Sequence, residues 1–227
     1  MPDRPFGILL PNRRSYAEKH VQFVGYPLGF DTKDVPHKDV LRRELGYDSG
    51  PLVICTVGGT SIGRDLLELC GRAFPLVAAR LPDLHMLLVA GPRIDPKSLD
   101  VPEGIDCRGM VPHLWRHMAA SDLAVVQGGG STTLELEALR VPFLYFPLEH
   151  HSEQEVTVAG RLNRHGAGVR MRLSSTSPQE VADAIVANLG VEVSYQEIPA
   201  RGVRLAAERI LECAGIQDLE ERIERVE

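Results

Sequence analysis

No apolar run in this chain approaches the roughly 20 residues needed to span a bilayer; the best candidate, MLLVAG at 86–91, is far too short. The N-terminus lacks a charged segment followed by a long apolar run, so no signal peptide is read there. No basic run stands out and the formal net charge is −6, which argues against a general nucleic-acid or anionic-membrane surface. Any anion site must therefore be local. The four cysteines, Cys55, Cys70, Cys107 and Cys213, form no CxxC pair and show no metal-ligand spacing. They read as reduced thiols, three of them in or beside apolar segments. His113 and His117 stand four apart, but the glutamate of an HExxH motif is missing, so no metal site is expected. These absences point to a cytoplasmic protein, with peripheral attachment to a membrane left open. The chain also has no internal repeat and no low-complexity segment.

What is present suffices for a sizeable core: 227 residues, 44% of them hydrophobic, make one large domain or two small ones. Residues 1–35 carry four prolines and little periodicity, and VQFVGYPLGFD within them reads as a strand running into a linker. PHKDVLRRELG at 36–46 has a proline near its start, apolar residues at 40, 41 and 45 and a terminal glycine, the signature of a short helix. Leu52–Val57 is a continuous apolar run of the kind covered on both faces of a parallel sheet. A helix follows over 64–81, which Pro75 should kink or split. Further strands are read at 85–90, 105–109, 123–126, 143–146 and 168–171. Helices are read at 113–120, 154–165 and 178–189, the last opened by Ser177 with Pro178 in its first turn. An apolar helical stripe occupies 199–213, and DLEERIERVE at 218–227 reads as a solvated end. Strand-helix alternation of this kind implies an α/β, Rossmann-like doubly wound parallel sheet, with ligands beyond the carboxyl ends of the strands.

The stretch from Gln127 to Gln154 concentrates the chemistry. A short apolar strand runs into Gly128, Gly129 and Gly130, and then into a helix that carries Ser131, Thr132 and Glu135. Glycines let a backbone approach a ligand closely, the hydroxyls can cap the helix, and the free amides with the positive end of the helix dipole favour an anion. That order suits a phosphate. A second glycine loop, GGTSIG at 58–63, follows the first strand, and a polar loop, EHHSEQ at 149–154, closes the stretch.

These motifs, in this order, resemble the C-terminal, donor-binding half of GT-B glycosyltransferases, in particular the peptidoglycan N-acetylglucosaminyl transferase and the UDP-glycosyltransferase families. The resemblance covers roughly 24–190. VGYP at 24–27 is similar to the segment joining the two halves of such enzymes, and VGGTSIG at 57–63 to the loop carrying Gly58, Gly59 and Thr60. MVPHLW at 110–115 resembles the segment framing the base, which gives Val111 the role of backbone contact to uracil. Glu135 stands where the family has its ribose-binding carboxylate, seven residues before Pro142. Gln127 stands where plant-type enzymes have a histidine and cannot carry a charge to the phosphates. Glu153 and Gln154 match the sugar-contacting end of the signature, Glu155 replaces a second glutamine, and His150 borders the same site.

The resemblance implies three units: 1–35 as the remnant of an N-terminal half and linker, 36–213 as the nucleotide-sugar domain, and 214–227 as a charged tail. It implies a donor, a UDP-sugar, and inverting transfer that needs neither metal nor cofactor. The donor contacts it implies are Gly58, Gly59, Thr60, Val111, Gln127, Gly128, Gly129, Gly130, Ser131, Thr132, Glu135, His150, Glu153 and Gln154. The general base and most recognition of the acceptor, whether small molecule, lipid or glycan, belong in such enzymes to the N-terminal half. A partner chain or self-association is therefore expected to complete the site. Two alternatives share the architecture: a UDP-sugar 2-epimerase, and a non-catalytic nucleotide-sugar-binding subunit.

Overall fold

A computed structural model describes residues 11–59, 61–199 and 201–215. Thr60, residues 1–10 and the charged end at 218–227 lie outside the described residues. The chain divides into two compact units, 1–31 with 198–227, and 32–197.

In the first unit, α1 (Pro11–His20) is followed by irregular backbone through Val21–Gly29, where a strand was expected, and α8 spans Gly202–Cys213. Among the described residues the apolar alternation at 21–24 has no neighbouring strand to complete its hydrogen bonds, and a lone extended segment is not a strand. Gly202 packs so tightly that a β-carbon there would lie 2.2 Å from the Tyr26 carbonyl oxygen.

The second unit holds a six-stranded sheet: β1 (Leu52–Thr56), β2 (His85–Val89), β3 (Asp106–Arg108), β4 (Leu123–Val126), β5 (Phe143–Tyr145) and β6 (Val169–Arg170). All pairs are parallel and the order is β3-β2-β1-β4-β5-β6, the doubly wound arrangement that the alternation implied. Successive residues go to opposite faces. Val53, Cys55, Met86, Leu88, Leu123, Val125, Leu144 and Phe146 pack in one cluster with α3 (Arg64–Ala78) and α7 (Pro178–Asn188). Leu52, Ile54, Leu87, Val89, Ala124, Val126, Phe143 and Tyr145 face the other side, covered by α2 (Lys38–Leu45), α4 (Leu114–Ala120), α5 (Gly130–Leu139) and α6 (Ala159–His165). A sheet covered on both sides requires the continuous apolar strands seen in the sequence.

Most element boundaries follow from local chemistry. Gly46 closes α2 with φ +74° and its N–H on the Arg42 and Arg43 carbonyls. Ser177 and Glu180 form a reciprocal capping box at the start of α7. Pro75 does not split α3, which runs unbroken to Ala78. The proline lies in the last turn, where little helix remains to be disrupted. The helix expected from residue 113 begins at Leu114, because His113 is left-handed at φ +50°. The helix expected from Gln154 opens as a π-helical turn, Glu153–Val158, before α6. Cys55 and Cys70 are buried, Cys107 is half-buried and Cys213 is exposed, all as free thiols. Among the described residues no helix is long and apolar enough to cross a membrane.

The amino ends of the two central strands are tied by Asp122, which stands just before β4. Its carboxylate accepts from the Leu52 N–H at 2.7 Å and from Lys38 Nζ and Arg42 Nη2 of α2, while Arg42 Nε also reaches the Ala120 carbonyl at 2.9 Å. Burial alone would raise this carboxyl's pKa, but the hydrogen bonds from Lys38 and Leu52 and the charges of Lys38 and Arg42 outweigh it, so the pKa lies below the usual carboxylate value. A depressed folded-state pKa contributes stability that is complete above the unfolded value, about 3.9, and is lost as the pH falls toward the folded one. Asp122→Asn should cost about 1–3 kcal/mol at neutral pH. It should also remove part of the loss of stability below about pH 4, as measured by denaturant unfolding of both proteins across the acid range.

Candidate functional site

The sheet's switch point decides where a ligand can sit. From β1 the chain crosses one face through α3, and from β4 it crosses the other through α5, so a crevice opens where these adjacent strands end. Thr56 is in register with Val126, which places the two glycine loops side by side at the carboxyl edge. The Gly59 carbonyl accepts from Arg93 Nη1 at 2.7 Å, and the loop backs onto Gly91, where a β-carbon would lie 3.1 Å from the Gly58 carbonyl oxygen. Gly58 and Gly59 are exposed, with open space beside them.

In the second loop Gln127 is buried and lines a cleft of about 420 Å³ together with Phe146, Leu148 and Glu149 beyond β5 and Asp65 and Arg72 of α3. Gly128 has φ +88° and lies in contact with Tyr145 and Pro147, so glycine is needed for the angle. Gly129 is the residue before α5, and no side chain caps that helix. The capping role expected of Ser131 and Thr132 is therefore not made. Both lie within the first turn of α5, Ser131 exposed and Thr132 half-buried. The hydroxyl that reaches the loop is that of Thr133, which donates to the Gly129 carbonyl at 2.8 Å. The first-turn amides are left for a ligand, or for solvent.

The polar loop after β5 is held by the π-helical turn. Gln154, 8% exposed, accepts the Leu148 N–H at 2.8 Å on its Oε1, which ties it to the loop after β5. Glu155 accepts the His150 N–H at 3.1 Å and lies 3.8 Å from Arg170, which occupies a side chain that could otherwise have read a sugar. His150 is exposed and left-handed at φ +65°. Glu153 turns the other way, its Oε1 3.3 Å from where a β-carbon on Gly130 would stand. Gln154, Glu153 and the α5 amino terminus are thus one constellation. Val111, beyond β3, packs half-buried on the cluster around Leu52 and Ile54. His117 is buried with its Nδ1 2.5 Å from the Tyr47 hydroxyl, and burial lowers its pKa, so it serves the core.

Glu135 differs from every other acid near the site. It is half-buried on α5, burial raises its pKa, and it accepts no hydrogen bond among the described residues. Two residues on, Glu137 is 1% exposed and fully engaged: Arg161 Nε donates to it at 3.0 Å and His165 Nδ1 lies at 2.5 Å. Arg161 also donates to Thr133 Oγ1 at 2.6 Å. This buried cluster was not among the candidate residues. Its signal was the pair of four-residue spacings, Thr133 to Glu137 and Arg161 to His165, which put polar groups on the inward faces of two helices.

With this geometry in view, comparison with known proteins is informative. Residues 53–200 match the model of the glycosyltransferase family 28 C-terminal domain. An uncharacterized glycosyltransferase of Methanosarcina mazei is 32% identical over 162 residues, 69% of this chain and 40% of the relative. The UDP-N-acetylglucosamine–N-acetylmuramyl-(pentapeptide) pyrophosphoryl-undecaprenol N-acetylglucosamine transferase of Carboxydothermus hydrogenoformans is 25% identical over 158 residues, 66% of this chain and 42% of the relative. The chain thus spans less than half the length of either. Among solved structures, the glycotransferase of kitacinnamycin is similar with a TM-score of 0.55 at 22% identity, covering 96% of this chain and 52% of that one.

The unpartnered carboxylate makes a prediction about the unliganded protein. An acid whose folded-state pKa is raised destabilises the fold once the pH exceeds its unfolded value, about 4.3. Glu135→Gln should therefore melt at the same temperature as the parent or a higher one at pH 7, and the difference should shrink toward pH 4. Thermal unfolding at the two pH values checks this, and a clear loss of stability at pH 7 would mean that Glu135 has a structural partner.

Proposed function

Since the chain belongs to the glycosyltransferase family 28 C-terminal domain and is the C-terminal half of a GT-B glycosyltransferase, we propose that it binds a nucleotide-activated sugar, a UDP-sugar, for inverting, metal-independent glycosyl transfer. The observation that carries this reading is Glu135. A half-buried carboxylate with no hydrogen-bond partner among the described residues, five residues past the start of a helix, lies about 7.5 Å along the axis from the free amides. That separation suits a pentose whose diphosphate rests on the helix amino terminus. A ribose supplies two vicinal hydroxyl donors to one carboxylate, and such charge-assisted bonds contribute about 1.5–3 kcal/mol each. The name of the Carboxydothermus relative, a UDP-N-acetylglucosamine-dependent transferase, favours uracil as the base.

In this reading the amides of Gly129, Gly130 and Ser131 hold the diphosphate, and Gly58 and Gly59 face it from β1. Thr60 and Thr132 add hydroxyls, Gln127 contributes a neutral contact, and the backbone of Val111 reads the base. Glu153, His150 and Gln154 contact the hexose. The leaving diphosphate is stabilised by oriented amides and the helix dipole, with no cation required. The acceptor, whether small molecule, lipid or glycan, and the base that deprotonates it belong to an N-terminal half, supplied by the same polypeptide, a partner chain or a second copy. Residues 1–35 then represent the approach from that half, 36–213 the donor domain and 214–227 a charged extension.

Titration calorimetry with UDP tests the reading. The 227-residue chain should bind UDP, and Glu135→Ala should weaken binding at least about tenfold. Because the ribose hydroxyls need the ionised acid, affinity should fall as the pH drops through the raised Glu135 pKa, and Glu135→Gln should flatten that dependence. Little transfer is expected from the chain alone. Conversion of a UDP-sugar to its epimer without acceptor would favour a 2-epimerase instead, and millimolar UDP binding indifferent to Glu135 would overturn the assignment.

A further inference from the structure

The buried cluster behind the glycine loop has no obvious use in stability. Glu137, Arg161 and His165 are 1%, 8% and 7% exposed. Removing such groups from water costs about as much as their mutual attraction returns, and well-packed apolar residues often serve a fold equally well. What the cluster does have is an aim. Arg161 Nη1 and Nη2 each lie 3.4 Å from the Gly130 carbonyl, and Nη2 donates to Thr133 Oγ1. Thr133 in turn donates to the Gly129 carbonyl through both its hydroxyl, at 2.8 Å, and its backbone N–H, at 3.1 Å. In a trans peptide the carbonyl of one residue and the N–H of the next point opposite ways. Anchoring the Gly129 and Gly130 carbonyls inward therefore turns the Gly130 and Ser131 amides outward, toward the crevice. Glycine has no side chain to impose that orientation, and no side chain caps this helix.

We propose that Arg161, charge-balanced by Glu137 and relayed by Thr133, is a positioning residue that sets the amides of Gly130 and Ser131 for the diphosphate of the donor. This rests on the donor reading for the identity of the ligand, though not for the geometry. The guanidinium fork is required because it must serve a carboxylate, a hydroxyl and a carbonyl at once; an ammonium offers charge without that plane. Arg161 also brings a cation beneath the loop, at the side away from the ligand, in a protein whose Gln127 brings none.

The test compares ligands with and without phosphate on the full chain: uridine, UDP and inorganic pyrophosphate, by calorimetry. Arg161→Met combined with Glu137→Met removes the ion pair as a unit, leaving His165 without its carboxylate partner. Thr133→Val is nearly isosteric and spares the ion pair. Both should weaken UDP and pyrophosphate about five- to tenfold while leaving uridine within about twofold, and Arg161→Lys should recover only part of the loss. Unchanged UDP and pyrophosphate affinity in the folded variants, or parallel loss for uridine, would overturn the proposal. Should the double variant not fold, Thr133→Val alone decides. If Glu135→Ala leaves UDP binding intact while Thr133→Val weakens pyrophosphate, the donor reading fails and this one stands. If Glu135 matters and the cluster does not, the reverse holds. No binding of any phosphate to the parent chain overturns both.

Discussion

The parallel pairing of β1 with β4 is the constraint from which the site follows. Because Thr56 and Val126 end in register, two glycine loops leave the sheet side by side, and right-handed crossovers must carry them to opposite faces. A crevice at that point is a consequence of topology, whatever fills it. The Asp122 carboxylate fixes the same register from the other end by holding the Leu52 N–H and two cations of α2. The charged cluster at the amino edge and the uncharged backbone loops at the carboxyl edge are two ends of one alignment.

On α5 two glutamates only two residues apart have opposite fates. Glu137 falls four residues after Thr133 and three after Leu134, on the buried face, where it survives only because Arg161 and His165 meet it. Glu135 falls between these faces, half-buried and unmet among the described residues, and burial holds its pKa up. A fold tends to pair the acids it buries, and among the described residues Glu135 is the acid of this helix that the fold leaves unpaired. The distinction lies in neither the composition nor the exposure of the helix. It lies in where the neighbouring helix α6 places Arg161 and His165.

Much of the architecture was legible in the sequence because it depends on short-range patterns. Apolar strands, the Gly46 stop and the Ser177–Glu180 cap each carry their own signal within a few residues. The glycine loop was legible as the turn between an apolar strand and a helix. What escaped depends on tertiary partners. Among the described residues the strand expected within 21–31 has no neighbouring strand, and Ser131 and Thr132 make no cap, while the Thr133 hydroxyl donates back to the Gly129 carbonyl and accepts from Arg161. The Glu137 cluster joins residues 24 to 28 apart on two helices, a distance at which neither helix alone reveals the other.

The π-helical turn at Glu153–Val158 shows how the polar loop gains definition without a strand to hold it. In an ordinary helix, consecutive side chains fan out in steps of about 100°. Widening the turn re-aims them, a common feature of functional sites. Here Glu153 addresses Gly130, Gln154 takes the Leu148 amide, and Glu155 takes the His150 amide. Three neighbouring side chains thereby join the glycine loop to the loop after β5. Glu153 also lies 3.9 Å from His151, so the turn and the loop before it are held to each other as well.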